Sequence, residues 1–554
     1  MNYFLFVLSV LVAHISFAQH GAPATFTRGD TLRGMLTPLR TCYDVKYYHL
    51  SVAVDTASRS IAGFTAITFE VMDDFTMMQV DLVDSMRIER IILDDTRELA
   101  FERELTAVYI TIPEQLNRQN FHTISIQYSG KPAEAKRPPW DGGFTWARDK
   151  NGNLWVSVTC QGDGASLWWP NKDHQSDEPD SMLISVAVPS GFMNVSNGRL
   201  RAKEDLENNL TRFDWFVSYP INNYNVTLNI AQYAHFNDVY LSGNDTLTLD
   251  YYVQPYNIDK ARRQFEQVKP MMACFEKHFG QYPFIRDGYK LVESPHLGME
   301  HQSAVAYGNE YLQGYRGTSS SEVGIEFDYI IIHETAHEWW GNSVTSNDIA
   351  DMWIHEGFGT YSEAVYVECL FGYDKAMSYV NGKRVFNDRP IIGPRNVNTP
   401  GSGDMYSKGQ FVLNTLRHVI DNDSLWWDIV KSIAEEFKYS QIDGEDIFKL
   451  VNRKTGTDYS YFFEQYLRQA KLPKLEVAIR KKAHAVEVRY RWVADVKEFR
   501  MPVKVTAGDD RFVFITPTTE WQTTRMDKLN PQNFRVAVDQ FFIEVRKTVT
   551  YVDP

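Results

Sequence analysis

Ile330-Ile-Ile-His-Glu-Thr-Ala-His-Glu-Trp-Trp340 opens on three β-branched apolar residues and carries two histidines four positions apart. On an α-helix, positions i and i+4 share a face. The imidazoles of His333 and His337 can therefore grip one zinc ion from the same side. Glu334 follows the first histidine, placed to take a proton from a zinc-activated water. With 14 histidines in the chain, chance alone supplies an HExxH in roughly one chain in fifty of this kind, so the third ligand carries weight. A longer motif would need His in place of Ser343. The other source is a carboxylate on the next helix. Glu356, in Trp353-Ile-His-Glu-Gly357, lies beyond eighteen intervening residues, and requiring Glu there cuts the chance rate to roughly one in a thousand. His355 competes, but neighbours on a helix point about 100° apart, and Glu356 is the favoured ligand.

Around this segment the periodicity is helical. Asp259–Phe279 places Phe265, Val268, Met272 and Phe275 on one side. Further helices are predicted at Phe327–Trp340, at Asp351–Phe371 with Gly372 to stop it, at Tyr406–Ile420 and at Ser424–Phe437. A strand-like run, Gly288–Glu293, precedes them. Outward on both sides the period falls to two. Leu50, Val52, Val54 and then Ile67, Phe69, Val71 alternate with other residues before the helices, and Val486, Val488, Tyr490, Trp492 after them, the pattern of half-buried strands. Gly508-Asp-Asp510 reads as a hairpin turn. The expected fold is multidomain α+β: an N-terminal β domain over 30–250, an α+β zinc domain over 251–472 and a C-terminal β domain over 473–554.

Composition narrows the function. Of 554 residues, 44% are hydrophobic and 23% charged, with 57 Lys plus Arg against 71 Asp plus Glu. A net charge of -14 gives no footprint for nucleic acid. Residues 1–18 resemble a signal peptide, with an apolar run from Tyr3 to Ile15 and small residues in Ser16-Phe17-Ala18. No later stretch is long and apolar enough to span a bilayer. A secreted or periplasmic protein is expected, with no integral membrane association in the mature form. Cys42, Cys160, Cys274 and Cys369 are too few for a disulfide framework. One or two disulfides and buried free thiols both remain open.

The spacing HExxH-x18-E, with Trp-Gly-Asn at 340–342 and Glu-Gly-Phe at 356–358, resembles the aminopeptidase N family of zinc metallopeptidases, gluzincins that include leukotriene hydrolase. Gly298-Met-Glu300 resembles that family's Gly-x-Met-Glu-Asn exopeptidase motif. Tyr406-Ser-Lys-Gly409 resembles the segment bearing its catalytic tyrosine. Cys160-Gln161, ahead of Asp177-Glu-Pro179, resembles the segment that contributes an amine-binding Gln or Glu. The resemblance implies a thermolysin-like zinc domain between two β units, the last of them sandwich-like, in the family's short three-domain form. It departs at His301 and His355, where Asn is usual.

By this resemblance the chain is a zinc aminopeptidase acting on peptides with a free N-terminus. Zinc sits on His333, His337 and Glu356, with Glu334 as general base. Tyr406 stabilises the oxyanion. Glu300 binds the α-amine, with Gln161 as an added acceptor and Gly298 and Met299 along the peptide. Glu363, Asp328 and Asn342 are all available to orient the imidazoles, and the sequence does not choose among them. The Trp339-Trp340 pair reads as core packing. Cobalt or manganese also suits a His/His/Glu set. Two alternatives stand beside this reading: a catalytically silent secreted binding or scaffold protein of the same fold, and hydrolysis of a lipid epoxide.

Overall fold

The computed structural model describes residues 26–482, 485–507, 511–526 and 529–551. The expected leader, 1–18, and the expected turn at 508–510 lie outside the described residues.

Alternation in the N-terminal region is realised as a ten-stranded sheet. Its long strand Tyr43–Asp55 buries Leu50, Val52 and Val54 and pairs antiparallel with Ser60–Val71, which buries Ile67, Phe69 and Val71. On its other edge it runs parallel to Ser181–Pro189. A smaller four-stranded sheet contains Gly143–Arg148, Leu154–Thr159, Met193–Ser196 and Leu228–Ala231. The Leu154–Thr159 strand is anchored by buried Val156 and Val158, and its end delivers Gln161 toward the centre of the molecule.

The hairpin Ala234–Ser242/Asp245–Val253, most of which falls in the span 30–250 expected for the N-terminal β domain, belongs to another sheet. Asp245–Val253 pairs in parallel with Tyr289–Glu293, followed by Val305–Tyr307 and the edge strand Gly298–Met299. Leu247, Leu249 and Tyr251 share a core with Phe265, Met272 and the zinc-motif helix. A period of two marks a strand but not the sheet it joins.

Four helical expectations are trimmed. Asp259–Phe279 is not one helix but Ile258–Gln264, a 3₁₀ turn at Phe265–Gln267, and Val268–Phe279. Pro270 explains the break: inside a continuous helix it would lose a hydrogen bond and strike the carbonyl four residues back, whereas in a first turn it costs nothing. The zinc-motif helix is Tyr329–Ala336, shorter than Phe327–Trp340 because Asp328 caps it through Ile330 N and Ile331 N, and because the chain turns after His337. His337 keeps helical dihedrals as the C-cap, so the i, i+4 relation survives. The next helix is Trp353–Phe371, ending at Gly372, and the last of the site begins at Ser407, with Tyr406 as its N-cap.

The C-terminal unit holds a four-stranded sheet ordered Gln522–Met526, Ala485–Val493, Lys474–Lys482, Glu544–Tyr551, and a two-stranded sheet, Val503–Thr506 with Phe512–Ile515. Phe542 stacks on Phe411 at 4.2 Å and so joins this unit to the helices. Cys274 and Cys369 form a disulfide between two helices, while Cys42 and Cys160 are free and buried.

Candidate metal centre

Three helices carry the site. The Tyr329–Ala336 helix presents His333 and His337, and the Trp353–Phe371 helix lies across it with Glu356 facing both. His333 Nε2 and His337 Nε2 are 3.3 Å apart, and Glu356 Oε2 is 3.6 and 3.5 Å from them. Four ligands tetrahedrally placed around an ion at about 2.0–2.1 Å stand about 3.3–3.4 Å from one another, so these three atoms form one face of such a tetrahedron. Glu356 Oε2 is buried and has no hydrogen-bond partner, which a bound cation would supply. The donor set, two imidazoles and one carboxylate with a fourth side open to a cleft, fits zinc.

The surroundings orient these ligands. His333 Nδ1 lies 2.8 Å from Glu363 Oε1, one further turn pair along the Trp353–Phe371 helix. Glu363 also accepts from Tyr379 at 2.5 Å and Lys383 at 2.8 Å. Burial works against its charge, yet Lys383 and His333 outweigh burial and hold Glu363 down at about 2. A carboxyl depressed below its ordinary 4.5 stabilises the fold above that pH and loses the contribution as pH falls from 4.5 toward 2. His337 Nδ1 donates to the Trp340 carbonyl at 2.8 Å. Among the three candidates left open by the sequence, Glu363 therefore orients a ligand. Asp328 instead caps the helix and accepts from Gln264, Tyr307 and Asn309, and Asn342 donates to the Glu300 carbonyl. Replacing Glu363 by Gln is expected to weaken zinc binding about tenfold, measured by competition with a chelator, because a neutral amide polarises His333 less. Unchanged affinity would assign Glu363 to packing alone.

Without the ion, burial opposes charge on both imidazoles, but the carboxylates around them prevail. His333 is raised to about 10 and His337 to about 9, while Glu356 is held far below the ordinary carboxylate range despite burial. A metal must displace these protons, so affinity rises with pH.

Above the centre lies a cleft of about 260 Å³ whose wall includes Gln161, Gly298, Met299, Glu300, Glu334 and Tyr406. The structure thus places Gln161, Gly298, Met299, Glu300, Glu334 and Tyr406 around one cleft with His333, His337 and Glu356. Gln161 donates to Glu300 Oε1 at 2.5 Å and to Glu356 Oε1 at 2.8 Å. Single oxygens of Glu300 and Glu334 and a ring nitrogen of His337 lie within 4.8 Å of one another. Glu334 is raised by burial, with the two histidines opposing. Glu300 is raised to about 7 by burial, then by Glu356 and Glu334 against the pull of His337. Tyr406 is raised well above its ordinary value by burial and then by Glu356 and Glu300, so it stays a protonated donor. At Gly298 a side chain would place its Cβ 2.7 Å from Ile330 Cγ2 and 2.8 Å from Glu334 Oε1; the glycine leaves room for the glutamate.

His355 is not a ligand. Its Nε2 accepts from Ser346 N at 2.8 Å and its Nδ1 faces the Tyr224 hydroxyl. His301 is fully buried outside the cleft wall, with neither ring nitrogen partnered. Trp339 packs on Phe275, Phe279 and Tyr282, and Trp340 on Phe358. Sequence reasoning did not find Tyr224, which donates to Glu300 Oε1 at 3.2 Å, nor Trp140 and Tyr315, which flank the cleft. Tyr224 is one of 30 tyrosines, 76 positions from its partner, and nothing local marks it.

A His/His/Glu centre with an adjacent glutamate, on helices beside a mixed sheet, is a donor set suited to zinc. Residues 263–466 match the peptidase family M1 domain. It is 23% identical over 300 residues to mouse endoplasmic reticulum aminopeptidase 1, covering 51% of this chain and 32% of that protein. It is 21% identical over 402 residues to leucyl aminopeptidase of Saccharolobus solfataricus, covering 69% of this chain and 49% of that one. The chain thus spans half or less of the length of these curated relatives. A Deinococcus radiodurans M1 zinc metallopeptidase solved with a Tyr-Ser-Ala substrate superimposes with a TM-score of 0.65 at 18% identity, over 78% of this chain and 95% of that one, and so shares the fold.

Proposed function

We propose that the protein is a zinc aminopeptidase that removes single residues from peptides with a free N-terminus. The observation that carries this is the closure of the cleft at Glu300. Its carboxylate oxygen lies within 4.8 Å of the Glu334 oxygen and of a metal-ligand nitrogen. One residue of extended chain spans about 3.3–3.6 Å, so an ammonium group at Glu300 leaves room for one residue before the reacting carbonyl. His333, His337 and Glu356 would hold the zinc, which when bound would supply an activated water and a polarised carbonyl. Glu334 accepts the proton of the attacking water and delivers it to the leaving amine. Tyr406 donates to the developing oxyanion. Gln161 and Glu300 hold the ammonium, and the free edge of Gly298–Met299 suits pairing with the peptide backbone. Export fits the apolar leader and the Cys274–Cys369 bond, which favours an oxidising compartment. Among the described residues no helix is long and apolar enough to cross a membrane.

The test is hydrolysis of aminoacyl-arylamides, each with a free or an acetylated amine, by the zinc-loaded protein. Cleavage confined to free amines is expected. Equal rates on both sets would point to an endopeptidase, and silence across a broad panel would favour a binding role.

A further inference from the structure

Glu300 is held from behind by a line of polar groups that crosses three elements. Ser346, at the end of strand Val344–Ser346, donates its backbone N–H to His355 Nε2 at 2.8 Å. That bond makes Nε2 the acceptor and leaves the ring proton on Nδ1. His355 Nδ1 lies 3.3 Å from the Tyr224 hydroxyl, which lies 3.2 Å from Glu300 Oε1. In the ionised form that would bind an ammonium, Glu300 only accepts, so Tyr224 then donates to Glu300 and accepts from His355. Every bond in the line then has one direction. His355, Tyr224 and Glu300 are all buried, where a satisfied network is stiff and a broken one costly.

Tyr224 is itself held. It sits in the turn Asn223–Asn225, where Asn222 accepts from Asn225 N, Asn223 donates to the Lys172 carbonyl, and Asn225 donates to Asn342 Oδ1 at 2.6 Å. Gln161 donates to the same Glu300 oxygen as Tyr224. Both side-chain donors fall on Oε1, and Oε2 is the oxygen left for an ammonium group. Neither Tyr224 nor His355 lines the cleft.

We propose that Tyr224 and His355 are positioning residues for the amine site: the line from Ser346 through His355 and Tyr224 fixes the rotation of the Glu300 carboxylate, aims Oε2 at the first amine of the substrate, and so sets the preference for free N-termini. This rests on the aminopeptidase reading above. The chain's departure at 355 becomes functional here, because the imidazole bridges a strand N–H and a tyrosine that stand on opposite sides of it.

The test uses the full zinc-loaded chain, with zinc content measured for every variant. Tyr224→Phe deletes one oxygen and keeps the ring. It is expected to raise KM for a free-amine aminoacyl-arylamide about tenfold with kcat within about threefold, as loss of an interaction common to ground and transition states requires. Competitive inhibition by a free amino acid should weaken by the same factor, and inhibition by its deaminated analogue should not change. His355→Asn keeps an N–H near the position of Nδ1 and should retain the wild-type ratio. His355→Leu fills the space without a donor and should follow Tyr224→Phe. Unchanged free-to-deaminated selectivity in Tyr224→Phe and His355→Leu overturns the proposal, as does equal loss in His355→Asn and His355→Leu, which would assign the residue to packing. A wild type indifferent to acetylation overturns the aminopeptidase reading instead, and the two failures are thereby distinct.

Discussion

Replacing Glu334 by Gln is expected to lower kcat on free-amine substrates by about 10³–10⁴-fold, the upper range for loss of a general base, with zinc content and fold unchanged. The amide matches the carboxylate in volume, and volume matters here because Glu334 stands against Gly298 and Ile330. What it removes is the capacity to accept a proton. Glu334 is not among the three mutually facing ligand atoms of the centre, so the metal should stay. Buried next to His333 and His337, the carboxylate is pushed up by burial while the histidines hold it down, a balance suited to a group that takes a proton and gives it back. The measurement is kcat by steady-state hydrolysis alongside zinc by elemental analysis. A variant with full zinc and wild-type kcat would remove Glu334 from the reaction.

Gly409→Ala is expected to cost about 10²-fold in kcat and about 1–3 kcal/mol in stability. The Trp353–Phe371 and Ser407–Ile420 helices cross at Gly357 and Gly409. A Cβ on Gly409 would lie 2.6 Å from Gly357 Cα, and backbone cannot swing aside as a side chain can. Ordinary carbon contacts sit at about 3.5–4.0 Å, so the helices must part by roughly an ångström. Tyr406 stands at the N-cap of one helix and Glu356 one residue before the contact on the other, so the gap opens between the proposed metal ligand and the proposed oxyanion donor. Gly357→Ala meets Gly409 Cα at 3.2 Å and should do less harm. Melting temperature and kcat measured together check this; a Gly409→Ala enzyme with wild-type kcat would show that the crossing does not place Tyr406.

The centre was legible because its signal is local. Helical periodicity fixes His333 and His337 on one face over a single turn, and one further helix brings Glu356 within a fixed chain distance. The strands were legible for the same reason: Leu50, Val52 and Val54 alternate because successive side chains point to opposite faces. The resemblance supplied Glu300, Gln161 and Tyr406, none of which spacing alone marks out.

Tertiary structure decided the rest. It drew the 234–253 hairpin into the zinc unit's sheet, because alternation does not say which neighbour a strand will pair with. It split the 259–279 helix where Pro270 leaves a backbone bond unmade. It chose Glu363 over Asp328 and Asn342, because that choice depends on which acceptor meets the far nitrogen of His333 after the helices have packed. It turned His355 away from the facing atoms of His333, His337 and Glu356 and onto Ser346 and Tyr224. The sequence by itself determined that His333, Glu334 and His337 stand together, since they lie on one short segment of regular geometry. Only the folded chain decided what is gathered around them, since Gln161 and Tyr224 reach Glu300 across 139 and 76 positions of sequence, and no local period records a contact made by packing separate sheets and helices against one another.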